Sequence, residues 1–381
     1  MKKIAVAFLL FTLFACEKDS VAPNELSDNP LLSAQDVAVH TTFLAHKSGL
    51  NTVGISIGIF KNGQASFYGY GETAKGSGIV PNQNTYYEIG SISKVYTAIA
   101  IVKMLEDEGK SIDTPIKAYL PANLPTLNRD GIELTFKHLL TYTSGLPYMP
   151  NNLGLSFYTN ITKGWREYDE NKLFSSLKNA RLAFVPFTDF TYSNTAYGTL
   201  GVILQRKYGK DYGEIIKDLI LEPLDLQATS AYFEETDLSN WAKGYTNTGK
   251  ESDYWKTLNA LDGAGVLKAN ASEVLKFAQA NIDIQTSPIS NSMALCQNIY
   301  TNFVRETAYE RTVNCLGWFS YENKGISNET FLYHNGGTGG FNSELFINKD
   351  KNSALVILFN TDGDTGDRQL FIRELLQIIS E

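Results

Sequence analysis

In the first hundred residues, segments with the helical period of apolar residues occur on either side of segments that alternate apolar and polar residues, as strands do. Ser33 and Asp36 have the spacing of a capping box, and the residues that follow predict a helix. The pair Asn62-Gly63 stands between two segments of alternating apolar and polar residues, which is typical of a β-hairpin. The apolar residues then return to the helical period. The predicted elements are a helix over 33–49, strands over 53–60 and 64–70, and a helix from about 91 to 109.

The middle of the chain keeps the helical period, and strand patterns return only near its end. Because strands occur near both chain ends, we expect one antiparallel sheet flanked by helices, with a mainly helical lobe inserted, an α/β (α+β) fold. We expect a sheet lobe from about 31–90 and 312–381 and a helical lobe over about 91–311. The predicted helices are 195–208, 212–221, 271–281 and 367–380, and the predicted strands are 315–321, 330–334, 344–347 and 354–359.

The first residues have the pattern of an export signal. A basic start is followed by an apolar run over 4–13, which is too short to span a bilayer. The end of this run, before Cys16, resembles the lipobox of bacterial lipoproteins, in which the cysteine carries the lipid. The alternative is an ordinary secretory signal with an incidental cysteine. We expect a signal peptide over 1–15, a polar tether over 16–30, and an exported cell-envelope lipoprotein, on the periplasmic side or at the cell surface.

Composition excludes several functions. With 43% hydrophobic residues the chain can bury a large core, and its net charge of −8 argues against nucleic-acid binding. Four histidines without ligand-type spacing argue against zinc. Cys296 and Cys315 could pair, but the sequence does not give their separation, so a disulfide stays open.

Ser91 and Lys94 are the strongest candidate chemistry in the chain. Residues three apart on a helix are neighbours, so the hydroxyl and the amine are expected to face each other as nucleophile and base. A helix N-terminus at this point would also lower the pKa of Lys94. A second Ser-x-x-Lys, Ser175 to Lys178, lies in a polar amphipathic segment without such a turn and is interpreted as a solvated helix face.

A family resemblance is carried by residues 87–94, Tyr-Glu-Ile-Gly-Ser-Ile-Ser-Lys. They resemble the active-site signature of class C β-lactamases and their relatives, the serine DD-peptidases and esterases. Among five Tyr-x-Asn sequences, only Tyr192-Ser193-Asn194 has surroundings similar to the second family motif. The resemblance implies that Tyr192 relays protons and that the Asn194 amide binds a substrate carbonyl. The alternative for Tyr192 is that it is one of 21 tyrosines packed in a core.

The third motif is His334-Asn335-Gly336, followed by Gly337. It stands where β-lactamases carry Lys-Thr-Gly, so the resemblance implies that His334, Gly336 and Gly337 contact substrate. The backbone N–H groups of Gly337 and Ser91 would form the oxyanion hole. Histidine in place of lysine supplies less positive charge for a substrate carboxylate. The alternative is a buried histidine in a glycine-rich turn without chemistry.

Two further segments, 139–147 and 262–267, resemble family scaffold. Class C β-lactamases commonly carry a glutamine after the first of these, whereas Tyr148-Met149-Pro150 follows here, which lowers the rank of a β-lactam substrate. The sequence around Ser56 has the lipase-type Gly-x-Ser-x-Gly pattern, but it lies in an alternating strand and not at a strand-to-helix turn, so we reject it as a nucleophile.

The resemblance covers nearly all of 31–381 and implies a serine hydrolase that works through an acyl-enzyme, with Ser91, Lys94 and Tyr192 as catalytic residues. The expected substrate is a small molecule or a peptidoglycan-type peptide, with D-alanyl-peptide or small-ester chemistry ranked above β-lactams. The alternatives are a β-lactamase proper or a penicillin-recognising sensor without turnover. No metal or organic cofactor is implied. We expect a monomer that contacts the membrane only through a lipid on Cys16.

Overall fold

An antiparallel sheet of eight strands forms from the two ends of the chain, which confirms the predicted fold class. The computed structural model describes residues 22–232, 238–325 and 328–381, so the predicted signal peptide and Cys16 lie outside the described residues. In these ranges no helix has the length and apolar character needed to cross a membrane.

The sheet runs in the order β2-β1-β12-β11-β10-β9-β8-β7, and each neighbouring pair is antiparallel. Two short pairs, β3 with β6 and β4 with β5, lie apart from it. The strands are β1 Gly54–Lys61, β2 Gln64–Gly71, β3 Tyr86–Glu88, β4 Asn128–Arg129, β5 Ile132–Glu133, β6 Lys268–Asn270, β7 Val304–Glu306, β8 Glu310–Asn314, β9 Phe319–Asn323, β10 Thr330–Gly337, β11 Asn342–Asn348 and β12 Ser353–Phe359.

The predicted helices over 91–109, 195–208, 271–281 and 367–380 agree with the structure to within two residues. The predicted helix over 33–49 is an α-helix only to His46 and ends in a 3₁₀ turn. The predicted helix over 212–221 is a short α-helix followed by a π-helical turn, Lys217–Leu221. The helices are α1 Ala34–His46, α2 Ser93–Asp107, α3 Phe136–Leu140, α4 Leu155–Thr159, α5 Ile161–Glu167, α6 Glu170–Lys178, α7 Asn194–Tyr208, α8 Tyr212–Ile216, α9 Ala271–Ile282, α10 Ser290–Gln297 and α11 Gly366–Ser380.

Both faces of the sheet are covered, as the period of two along β12 requires. Leu355 and Ile357 pack with α1 and α11, whereas Val356 and Leu358 belong to the larger core that contains α2 and α9. The turn at 90–92, which precedes α2, packs against the end of β10. The fold therefore places the helical lobe against one face of the sheet.

The predicted strand over 315–321 is wrong in its first half. Residues 315–318 form the turn between β8 and β9, with Gly317 at φ +75°. The segment is apolar because the turn is buried: Cys315, Leu316 and Trp318 are fully covered, and the Gly317 N–H donates to the Leu140 carbonyl. Two strands that were not predicted, β7 and β8, also belong to the sheet.

Part of the predicted tether lies on the sheet. The Gly71 N–H donates to the Leu26 carbonyl at 2.9 Å, and Ser27 pairs with Tyr70 across the edge of β2. Residues 26–28 therefore extend the sheet past β2. Cys296 and Cys315 are both buried free thiols in this structure.

Candidate active site

Ser91 lies in a tight turn between β3 and α2. Residues 90–92 form a single 3₁₀ turn, and Gly90 has φ +49°, a conformation that glycine adopts without strain. A Cβ atom on Gly90 would lie 2.7 Å from the Gly337 nitrogen, and one on Gly336 would lie 2.0 Å from the Ile89 carbonyl oxygen. These glycines let the turn lie directly against the end of β10, so Ser91 and Gly337 become neighbours.

Lys94 is fully buried, and its amine contacts three oxygen atoms. Its Nζ lies 2.9 Å from Ser91 Oγ, 2.8 Å from Asn194 Oδ1 and 2.5 Å from the Ala264 carbonyl oxygen. Burial lowers the pKa of Lys94 well below its usual value. The predicted direction of this shift is correct, but its cause is burial, whereas the sequence analysis expected the helix N-terminus.

A neutral amine at this position is oriented toward the serine. It has two protons and one lone pair, and the amide oxygen of Asn194 and the carbonyl oxygen of Ala264 can only accept. Both protons are therefore used by these two oxygens. The lone pair is left facing the Ser91 hydroxyl, which is the arrangement a general base needs.

Tyr192 lies beside Lys94 and Ser91. The Ser91 side chain interacts with the phenol closely enough to lower its pKa in part, and Lys94 Nζ lies 4.9 Å from the ring centroid. The ring stacks on Tyr142 at 4.7 Å. Burial raises the pKa of Tyr192 above its usual value, so the phenol stays protonated near neutral pH and has a proton to give.

Asn194 is the first residue of α7, and its side chain is held at both ends. The Ser193 hydroxyl caps α7 by accepting from the Ala196 N–H, and it donates to the Pro147 carbonyl. The Asn194 amide nitrogen donates to Met149 Sδ at 3.3 Å. Because a thioether is a weak acceptor, a substrate carbonyl can replace it as the partner of this amide.

His334 is fully buried behind Tyr192 and not at a cavity surface. Its Nδ1–H donates to the Asn335 carbonyl at 2.6 Å, so Nε2 accepts from the Tyr142 hydroxyl at 3.3 Å. Burial, with the nearby Lys94 amine, lowers the pKa of His334 to about 3. The imidazole is neutral and supports the Tyr142–Tyr192 stack; contact with substrate stays a prediction.

Gly336 and Gly337 end β10 on different sides. Gly336 packs against the Ile89 carbonyl, whereas a Cβ on Gly337 would meet nothing within 4 Å. Open space at Gly337, next to Ser91, is where a substrate can approach two backbone N–H groups. The predicted oxyanion hole fits this placement.

The two other candidate serines lie in surroundings that do not favour a nucleophile. Ser56 is buried on β1, where its hydroxyl contacts the Asn82 carbonyl at 3.1 Å and the Tyr87 hydroxyl at 3.0 Å. Ser175 is exposed on α6. Neither serine has a buried amine beside it among the contacts that the structure describes.

Two cavities open at the site. A cavity of about 260 Å³ is lined by Ser91, Asn194 and Gly337, together with Tyr148, Met149, Phe157, Ile161, Trp165, Trp255, Leu258, Leu261, Ala264 and Gly265. A larger groove of about 870 Å³ is lined by Tyr192 and Asn335 and includes Arg305, Glu310, Asp364 and Arg373, but Ser91 is not part of its lining. Sequence reasoning missed the aromatic wall, and it assigned Ala264 only to scaffold.

Buried charges hold the wall of the smaller cavity. Glu88 accepts from the backbone N–H of Trp255, and Lys268 interacts electrostatically with both Glu88 and Asp262. Burial raises the pKa of Asp262 to about 6 and lowers that of Lys268 to about 8. Asp262 accepts from the Leu258 N–H at 2.6 Å, which fixes the turn that ends in the carbonyl contacting Lys94.

Comparisons with known proteins find relatives that match most of the chain. A sequence model of the family described as Beta-lactamase matches residues 42–377. A Pseudomonas fluorescens protein named "Beta-lactamase" is 25% identical over 371 residues, covering 89% of this chain and 93% of its own. "Protein flp" of Staphylococcus aureus (strain MW2) is 27% identical over 323 residues, which are 82% of this chain but only 60% of that protein.

Solved structures share the fold. The β-lactamase/D-alanine carboxypeptidase from Pseudomonas syringae has a TM-score of 0.75 at 21% identity, covering 91% of this chain and 99% of its own. The class C β-lactamase from Rhodobacter sphaeroides has a TM-score of 0.74 at 20% identity, covering 90% and 98%.

Proposed function

Because the chain belongs to the Beta-lactamase family and is a serine hydrolase, we propose that it cleaves an amide or ester bond through an acyl-enzyme formed on Ser91. The observation that carries the proposal is the 2.9 Å approach of the buried Lys94 amine to the Ser91 hydroxyl. The two carbonyl-type oxygens that occupy the amine's protons support its role as base.

Acylation follows from these contacts. Ser91 Oγ attacks the substrate carbonyl carbon while its proton passes to Lys94 Nζ. The oxyanion is stabilised by the N–H groups of Ser91 and Gly337. As the bond to the leaving group breaks, the Tyr192 phenol gives its proton to the leaving atom and is reprotonated from Lys94.

Deacylation uses the same groups in reverse. Water attacks the acyl carbon, its proton passes to the Tyr192–Lys94 pair, and the serine oxygen leaves as a restored hydroxyl. The described lining of the smaller cavity contains no carboxylate, and Glu88 is committed to the Trp255 N–H. We therefore assign no separate carboxylate as general base for deacylation.

For the substrate, we rank D-alanyl peptides or small esters above β-lactams. Tyr148 and Met149 line the cavity in the segment where class C β-lactamases commonly carry a glutamine. The neutral His334 offers no charge to a substrate carboxylate, which favours an ester without one. The proposed export and lipid attachment at Cys16 would place a monomer beside the cell wall, where such peptides occur.

The nucleophile is tested by covalent labelling of the purified protein. A fluorophosphonate and a labelled penicillin should each modify Ser91, as located by mass spectrometry of peptides. Ser91→Ala should abolish labelling, whereas Ser175→Ala, in the other Ser-x-x-Lys sequence, should leave it unchanged. Labelling that survives in Ser91→Ala would refute the proposal.

The second candidate is a β-lactamase proper, which is favoured by the relative of that name. A chromogenic cephalosporin compared with D-alanyl peptides and nitrophenyl esters by kcat/KM separates the two. Rapid release of the penicilloyl group with a cephalosporin preference would favour the β-lactamase. Stable penicilloylation without turnover of any substrate would instead identify a sensor.

A further inference from the structure

The smaller cavity is mostly apolar, although it contains the serine nucleophile. Apart from Ser91, Asn194 and the glycines, its described wall consists of aromatic and aliphatic side chains and Ala264. Apolar surface contributes to binding only when the ligand presents apolar surface to cover it. The wall therefore indicates which substrate groups bind, whereas the catalytic residues indicate only the reaction.

The aromatic part of the wall is preformed. The rings of Phe157 and Trp165 meet nearly at right angles at 4.7 Å, and Trp165 and Trp255 lie 5.2 Å apart. The backbone of Phe157 lies close to Gly164: a Cβ atom added to Gly164 would lie 2.4 Å from the Phe157 Cα. Packed rings with fixed neighbours need little reorganisation when a ligand enters.

The wall reaches the surface through apolar side chains. Ile161 and Tyr148 both line the cavity, and they are 38% and 59% exposed. An apolar group of a substrate can therefore enter along an apolar mouth. A charged group would lose hydration there without a charged partner on the described wall.

The positions of the two cavities relative to Ser91 decide which part of the substrate each one takes. The leaving group departs toward the proton of Tyr192, and Tyr192 lines the larger groove, which contains Arg305 and Glu310. The acyl group stays attached to Ser91, which lines the smaller cavity with Asn194. Because Ser91 lines the apolar cavity and Tyr192 lines the charged groove, we assign the apolar cavity to the acyl group and the groove to the leaving group.

We propose that the cavity walled by Phe157, Trp165 and Trp255 binds the acyl part of the substrate and selects an aromatic or branched apolar acyl group over a short or anionic one. This inference rests on the proposed function. It narrows the substrate class to esters or amides of apolar acids that carry a polar leaving group.

The first test uses esters that differ only in the acyl part. With one shared nitrophenol leaving group, we expect kcat/KM for the phenylacetyl ester to exceed that for the acetyl ester about tenfold or more, because a buried ring adds apolar area. The anionic succinyl monoester should be poorer than both. Benzylboronic acid, which bonds to a serine oxygen, should inhibit more tightly than methylboronic acid.

A matched pair of variants locates the preference. Ile161→Glu places a charge at the cavity mouth and should lower the phenylacetyl-to-acetyl ratio about fivefold or more. Leu295→Glu changes an equally exposed residue, 39% on α10 and away from the cavity, and should keep the ratio. Equal loss in both variants, or no change in Ile161→Glu, would overturn the inference.

The inference and the proposed function fail differently. If wild type hydrolyses all the esters in a Ser91-dependent way but with a flat acyl preference, the acyl cavity is refuted and the nucleophile stands. If hydrolysis is absent or survives in Ser91→Ala, the proposed function fails and the inference falls with it.

Discussion

The Nζ atom of Lys94 lies 2.5 Å from the carbonyl oxygen of Ala264, a backbone atom 170 residues further along the chain. This contact fixes one proton of the amine, as Asn194 fixes another. The base is therefore oriented by groups from both the turn at 259–265 and the start of α7. Its activity depends on the packing of the helical lobe as well as on the turn that carries Ser91.

Replacing the base should abolish acylation. Lys94→Met removes the lone pair, and we expect kcat to fall roughly 100-fold or more on a nitrophenyl ester. Lys94→Arg should be equally impaired, because a guanidinium does not deprotonate. Steady-state kinetics with Lys178→Met as the matched control checks this; a fall of only a few-fold in Lys94→Met would contradict the assigned role.

The pH dependence of activity follows from the same amine. Burial lowers the pKa of Lys94, so the neutral form that acts as base appears at a pH well below 10.5. Activity should rise with pH through that lowered pKa. The raised pKa of Tyr192 keeps the phenol protonated, so no alkaline loss is expected below about pH 10. A kcat/KM profile that instead falls between pH 7 and 9 would contradict this assignment.

Removing the phenol should affect poor leaving groups most. Tyr192→Phe keeps the stack on Tyr142 but loses the proton donor. We expect kcat to fall roughly 100-fold for an alkyl ester or amide, and much less for a nitrophenyl ester, whose leaving group needs no proton. Tyr208→Phe is the control, since Tyr208 is a half-buried tyrosine of α7 that lines neither cavity. Equal losses for both leaving groups would argue against proton donation.

The sequence predicts the local part of the site better than the part assembled from distant residues. Ser91 and Lys94 are three residues apart, so helical geometry alone brings them together. The Ala264 carbonyl has no side-chain signal, and the meeting of Trp165 with Trp255 depends on loop packing that no local period encodes.

The misread segment has a similar physical cause. The turn at 315–318 is as apolar as a strand because it is buried under α2, where a Cβ on Gly317 would come within 2.7 Å of Ala98. The burial of His334 fits the alternative that the sequence left open, because a neutral imidazole can be buried at low cost; its contact with substrate stays a prediction.

A buried carboxyl should make stability pH-dependent. Burial raises the pKa of Glu344 to about 8 from its usual 4.5, and the groups that face it include Tyr333, Asp364, Arg368 and Glu310. Between these two pH values the folded state binds more protons than the unfolded state, so the free energy of unfolding should fall as pH rises from about 5 to 8. Glu344→Gln should flatten this slope, by up to a few kcal/mol over the range.

Urea unfolding of wild type and Glu344→Gln at pH 5, 6.5 and 8 checks this slope. Parallel pH dependences in the two proteins would show that another group is responsible. A wild type more stable at pH 8 than at pH 5, with Glu344→Gln unchanged between them, would reverse the predicted sign.

The glycine before the nucleophile should be required for both stability and activity. Gly90→Ala puts a methyl group 2.7 Å from the Gly337 nitrogen, in a left-handed conformation, so the turn or the end of β10 must move. Gly76→Ala is the matched control, because Gly76 has φ +74° but nothing within 4 Å of its Cβ position. We expect Gly76→Ala to cost about 1 kcal/mol in free energy of unfolding with normal kcat, and Gly90→Ala to cost about 2–5 kcal/mol with a large loss of kcat. Urea unfolding measures the free energy of unfolding, and ester hydrolysis measures kcat. If Gly90→Ala matched Gly76→Ala in both, the turn at Gly90 and the end of β10 would not be in the close contact on which the oxyanion hole depends.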